Sequence, residues 1–130
     1  MRGPRAGRSR GQATVEVALA LPLVVLVLLL LVQVALVGRA ALLVAHAARE
    51  GARAAAVDGR PGAVGRAVRS VPGLAPSRLR WQVGPRVPGR PVRVTVRYRV
   101  PTDVPLVGAL VGEPEVAASM SMLAEPEDGP

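Results

Sequence analysis

The apolar and polar positions of this chain fall into two unlike halves. From Val17 to Gly38 there are 22 residues whose only strongly polar side chain is Gln33. As a helix that run is ~33 Å long and matches a hydrocarbon core of ~30 Å. A secretory signal has an apolar region of only about 7–15 residues, closed by a small-residue cleavage site. This run is longer, and its nearest small-residue site, Ala45-His46-Ala47, comes too late. The pattern predicts a membrane-spanning helix over 17–38.

Beyond the span the pattern stays helical but becomes two-sided. At ~100° per residue, Arg39, His46, Arg49, Glu50 and Arg53 share one arc. Ala41, Val44, Ala48, Ala52 and Ala55 share the opposite one. Small side chains let another backbone approach closely. Ala41, Ala48, Ala52 and Ala55, with Pro22 inside the span, are therefore candidate helix-packing positions. They would pack either on the chain's own domain or on neighbouring subunits. Asp58-Gly59 stops the helix.

After residue 58 the period shortens. Pro61 opens a short helix with Val64, Ala67, Val68 and Val71 on one face, ending before Pro72-Gly73. Three stretches then alternate with period two. Residues 79–83 place Leu79, Trp81 and Val83 on one side. Residues 92–100 set Val92, Val94, Val96, Tyr98 and Val100 against Arg93, Thr95, Arg97 and Arg99. Residues 116–124 place Val116, Ala118, Met120, Met122 and Ala124 together. Pro88-Gly89 marks the hairpin between the first two. A three-stranded antiparallel sheet with one apolar face needs a cover, either the short helix or the small-residue side of the long one. The apolar loop Val104–Val111 is too short to span a bilayer; it caps the sheet's edge, touches lipid or meets a partner, and capping is the plainest reading.

The fold class expected is α+β: a long N-terminal transmembrane helix continuing outside the membrane, then a small three-stranded antiparallel sheet. The divisions are a basic leader (1–11), the span with its amphipathic extension (12–58), a small α+β domain (59–124) and an acidic tail (125–130) without fixed structure.

Composition sharpens this. Trp81 and Tyr98 are the only aromatics, so the domain's core is thin. There is no cysteine, hence neither disulfide nor thiolate metal site. All 17 basic residues are arginine, and Arg2, Arg5, Arg8 and Arg10 precede the span. That excess favours a cytoplasmic N-terminus and an exported C-terminal domain. The strand arginines pair loosely with Glu113, Glu115 or Glu125, or bind anionic headgroups or an acidic envelope polymer.

Glu16 stands at the lip of the span. A carboxylate at the bilayer centre costs roughly 2.5–3.5 kcal/mol, less near the interface. Headgroup depth and the positive end of the helix dipole make it tolerable there. Pro22 removes a backbone hydrogen bond and kinks a helix, although membranes tolerate it.

The stretch Arg8-Ser9-Arg10-Gly11-Gln12-Ala13-Thr14-Val15-Glu16-Val17 resembles the processing site of type IV prepilins. The resemblance implies a prepilin peptidase cutting after Gly11, Gln12 as the first mature residue, and Glu16 as a carboxylate that pairs with the amino terminus of a neighbouring subunit. Extended through Ala18-Leu19-Ala20-Leu21-Pro22, the string is similar to the N-terminus of TadE-like proteins, pseudopilins or minor pilins of the tight-adherence (Flp-type) pilus. Ala47-Ala48-Arg49-Glu50-Gly51-Ala52-Arg53-Ala54-Ala55-Ala56 resembles the same family's stretch after the span. Where that family commonly has an aromatic after the glutamate, this chain has Val17. A long helix backed by a small sheet is also the pilin-like build.

No catalytic, cofactor-binding or metal-binding residue is expected. His46 is the single histidine, and neither a phosphate loop nor a metal spacing is present. Nucleic-acid binding lacks a motif and stacking aromatics. The partners expected are membrane lipid, other pilin-like or secretion-machine subunits and the prepilin peptidase. The alternative is an uncleaved anchored accessory protein whose exported domain binds an envelope partner.

Overall fold

The computed structural model describes residues 8–126. The first part of the basic leader and the acidic tail from residue 127 lie outside the described residues. The elements in order are α1 (Arg8–Val57), α2 (Pro61–Arg69), β1 (Leu79–Val83), β2 (Pro91–Arg99), α3 (Val107–Val111) and β3 (Glu115–Leu123). The α+β class expected from the pattern is what the chain adopts.

Helix α1 runs unbroken for 50 residues and continues through Pro22. It ends where Asp58 turns the chain, its carboxylate accepting the Arg60 backbone N–H at 2.9 Å. The last carbonyls of a helix have no partner within it. Here Arg86 donates to Ala55 O at 3.1 Å and Ala56 O at 3.4 Å, and the Glu125 N–H donates to Ala56 O at 3.1 Å. A guanidinium at this end also suits the negative pole of the helix dipole. Pro61 opens α2 at a position where its missing N–H costs nothing.

The sheet is antiparallel throughout, in the order β1-β2-β3. Its register sets Leu79 opposite Tyr98 and Val94 opposite both Val83 and Met120. Strands β2 and β3 each begin one residue before the alternation predicts. Proline is admissible as the first residue of a strand, and Arg99 pairs with Glu115 to extend the ladder. Val92, Val94, Val96 and Tyr98 are buried, while Arg93, Arg97 and Arg99 point away. The apolar side of the edge strand β1 loses its cover toward the hairpin: Leu79 is buried, Trp81 half-buried and Val83 exposed.

The cover for the apolar face is α1 itself. Ala40, Val44, Ala47, Ala48, Ala52 and Ala55 are buried in one core with β2, Val64 and Val68 of α2, and Ala124. Alanines and Gly51 along this stripe bring sheet and helix close enough for valines to fill the layer between them. A Cβ on Gly51 would lie 3.0 Å from Val68 Cγ2 and 3.1 Å from Val94 Cγ1. Since many buried side chains here are alanine or valine, the core is thin, as the composition implied.

The sheet lies along α1 in a definite sense. Its Glu125 end meets Ala56. At its other end Tyr98, Val100, Pro101 and Asp103 share a cavity of about 200 Å³ with Leu36, Arg39, Ala40 and Leu43. The β2–β3 connection therefore leaves the sheet on the side of the apolar half of α1. It is closed at its base by the Val100 N–H donating to Pro114 O at 2.9 Å and the Thr102 hydroxyl donating to Gly112 O. The segment read as a plain loop over Val104–Val111 holds the helical turn α3, which packs on α1.

Candidate functional site

The N-terminal half of α1 is the part of the molecule that the fold leaves unsatisfied. Thirteen valines and leucines between Val15 and Leu36 are more than a third exposed. Burying one such side chain is worth about 1.5–3 kcal/mol. Together they represent roughly 20 kcal/mol or more of unrealised transfer free energy. A free helix of this kind in water would aggregate, so its surroundings must be lipid or other apolar helices. Within Gly11–Val57 the helix is long and apolar enough to cross a membrane, and none of its most apolar stretch is buried by the rest of the chain.

Gly11 and Gln12 lie in the first turns of this helix, both exposed, and a Cβ on Gly11 would meet nothing within 4 Å. Glycine weakens a helix by about 1 kcal/mol relative to alanine, so unwinding the Gly11–Gln12 bond is cheap. Glu16 is exposed and unpaired among the described residues. Pro22 is exposed as well. The structure thus gathers Gly11, Gln12, Glu16 and Pro22 along one bare rod and, among the described residues, gives none of them a tertiary partner.

The other helix-packing candidates separate from these. Ala48, Ala52 and Ala55 are buried under the chain's own sheet, so that stripe is already occupied. Ala41 is exposed, at the margin of the stripe. The charged arc stays in solvent: Arg39, His46, Arg49 and Arg53 are exposed and Glu50 is half-buried.

Gln33 is a residue whose place sequence reasoning missed. It is only 3 % exposed, and neither its Nε2 nor its Oε1 has a hydrogen-bond partner. It continues a line of reduced exposure through Leu26, Leu29, Leu30 and Val37 to Ala40 and Val44. These positions recur every three or four residues and so prolong the sheet-covered face of α1 into the span. A polar residue inside an apolar run was the one available signal, but it could not say what covers it.

The outer face of the sheet is cationic at one end. Arg78, Arg80, Arg97 and Arg99 line a cavity of about 270 Å³ with Ser77, Glu113 and Glu115. Arg78 pairs with Glu113 at 3.0 Å and Arg97 with Glu115 at 3.7 Å. Arg93 lies toward the opposite end and donates to the Ser121 hydroxyl at 3.2 Å. The three strand arginines thus do not form one patch: Arg97 and Arg99 belong to the end nearer the apolar half of α1, and Arg93 does not. Among the described residues, no group of three His, Cys, Asp or Glu could hold a metal ion.

Residues 11–53 match the family model described as TadE-like protein. That match covers the stretch from Gly11 through the apolar run to Arg53, the family whose N-terminus the sequence resembles. Neither a curated protein nor a solved structure matches the chain. The family match over residues 11–53 and the one long apolar helix among the described residues point to a membrane protein related to the tight-adherence (Tad) pilus.

Proposed function

We propose that this chain is a single-pass minor pilin or pseudopilin that acts in assembling a tight-adherence (Flp-type) pilus or a related secretion machine. It sits in the cytoplasmic (inner) membrane with its N-terminus inside and its sheet domain exported. Prepilin peptidase trims it after Gly11, and the bare half of α1 then packs against lipid and against the apolar helices of other pilin-like subunits. The observation that carries this reading is Glu16. It is a carboxylate without a partner among the described residues, one turn from Gln12, on a helix whose apolar surface the fold leaves uncovered.

Cleavage would place Gln12 at the head of the helix, with Glu16 ~6 Å further along and nearly on the same face. A new ammonium and a carboxylate would then stand at one end of each subunit. In the low dielectric of a helix bundle, opposite charges on neighbouring subunits relieve each other's desolvation. Before cleavage that ammonium is absent, so processing would license assembly.

The test is the intact mass of the protein extracted from its native membrane. The expected species begins at Gln12, whereas a Gly11→Leu variant keeps the whole basic leader. A wild-type mass that includes the leader overturns the processed-pilin reading. It would favour the uncleaved accessory protein with an envelope-binding domain.

A further inference from the structure

We infer that the β2–β3 connection is a second membrane contact, with the apolar turn Leu106–Val111 inserted into the outer part of the bilayer beside the span. This rests on the reading above that α1 crosses the membrane.

Placement comes first. The connection leaves the sheet at Leu36 and Arg39, and α3 packs on α1. The face of α1 that loses exposure below that point is the one through Gln33, Leu30, Leu29 and Leu26. Gln33 lies ~8 Å on the membrane side of Gly38, where the apolar run ends. The connection thus starts within a few residues of Gly38, at the level where the apolar run meets the outer lipid leaflet.

The chemistry of the turn fits that depth. Val107 is buried toward the fold, whereas Leu106 and Leu110 are each 69 % exposed and Val111 is 50 % exposed. Leu106 adopts φ 67°, a conformation disfavoured for a residue with a Cβ. From Val100 to Gly112 the only charged side chain is Asp103, which shares the rim of a cavity with Arg39 where the run meets water.

Part of the connection's backbone is satisfied or donor-free, which lowers the cost of a dry setting. Pro101, Pro105 and Pro114 have no N–H to leave unpaired. The Gly108 N–H donates to Val104 O and the Gly112 N–H to Gly108 O. Beyond the turn, Arg78, Arg80, Arg97 and Arg99 form the cationic end of the sheet, placed to meet lipid phosphates.

The absence of cysteine in the chain gives a clean test. Single variants Leu106→Cys, Leu110→Cys, Val24→Cys and Ser119→Cys carry a nitroxide, and the full chain is reconstituted in phosphatidylglycerol/phosphatidylcholine vesicles. The protein-to-lipid ratio is kept low enough that copies do not meet. Power saturation then compares collisions with apolar oxygen and with a water-soluble nickel chelate. The proposal expects loss of nickel access with retained oxygen access at 106, 110 and 24, and full nickel access at 119. Nickel access at 106 and 110 matching that at 119, with 24 protected, overturns the inserted turn while leaving the span intact. Nickel access at 24 as well defeats the spanning reading, and the inserted turn with it.

Discussion

Replacing Gly51 by leucine unfolds the C-terminal domain and leaves the protein in the membrane. Gly51 stands where α1, α2 and β2 converge, with Val68, Val94 and Val64 within 3.5 Å of the position its Cβ would take. Overpacking a filled core costs about 1–3 kcal/mol for modest insertions. A leucine adds four carbons where the first is already too close, so ~3 kcal/mol or more is expected. A domain this small, with a core mostly of alanine and valine, has little stability to spare. The bare half of α1 depends on none of these contacts, so insertion persists. Trypsin digestion of the detergent-solubilised protein reads the result, because the sheet carries arginines on its exposed side. The wild-type domain resists at its strand arginines and Gly51→Leu is cut there; equal resistance would show that the close approach of helix and sheet is not tight.

Replacing Glu16 by alanine abolishes incorporation into assembled structures without reducing the amount held in the membrane. Removing one partner of a buried ion pair costs about 3–5 kcal/mol. At ~1.4 kcal/mol per factor of ten, the assembled fraction falls about 100-fold or more. The measurement is the ratio of this chain in the sheared or co-purified assembly to that in the carbonate-washed membrane. Glu16→Gln falls nearly as far, because the charge rather than the shape is lost. An unchanged ratio for Glu16→Ala would remove the carboxylate from the assembly mechanism and leave it a tolerated residue at headgroup depth.

The contrast between Gly51 and Glu16 shows what a sequence can disclose here. Local chemistry is legible: an apolar run with one glutamate at its lip, a glycine ahead of it and four arginines before that can be read without any fold. Period-two alternation is equally local, and it placed β2 within a residue. The small-residue stripe was legible as a packing face, but not what it packs on. Ala48, Ala52 and Ala55 fit another helix or a sheet equally well, and only the valines of β2 decide between them. Least legible was the burial of Gln33 and of Val107. An apolar run all round hides which of its faces will be covered, and a short run of apolar residues carries no sign of which surface it will cover. The β2–β3 connection is set by where the sheet ends along α1, which is a property of register and not of any one segment.

The account depends above all on α1 crossing the bilayer with the sheet on the outer side. Single cysteines at Ser9, in the Gly11→Leu variant that keeps the leader, and at Ser119, in sealed right-side-out vesicles, test this with a membrane-impermeant maleimide. The expected result is labelling of Ser119→Cys from outside, with Ser9→Cys labelled only after the vesicles are opened. Labelling of both positions from outside, or of Ser9→Cys alone, would contradict it.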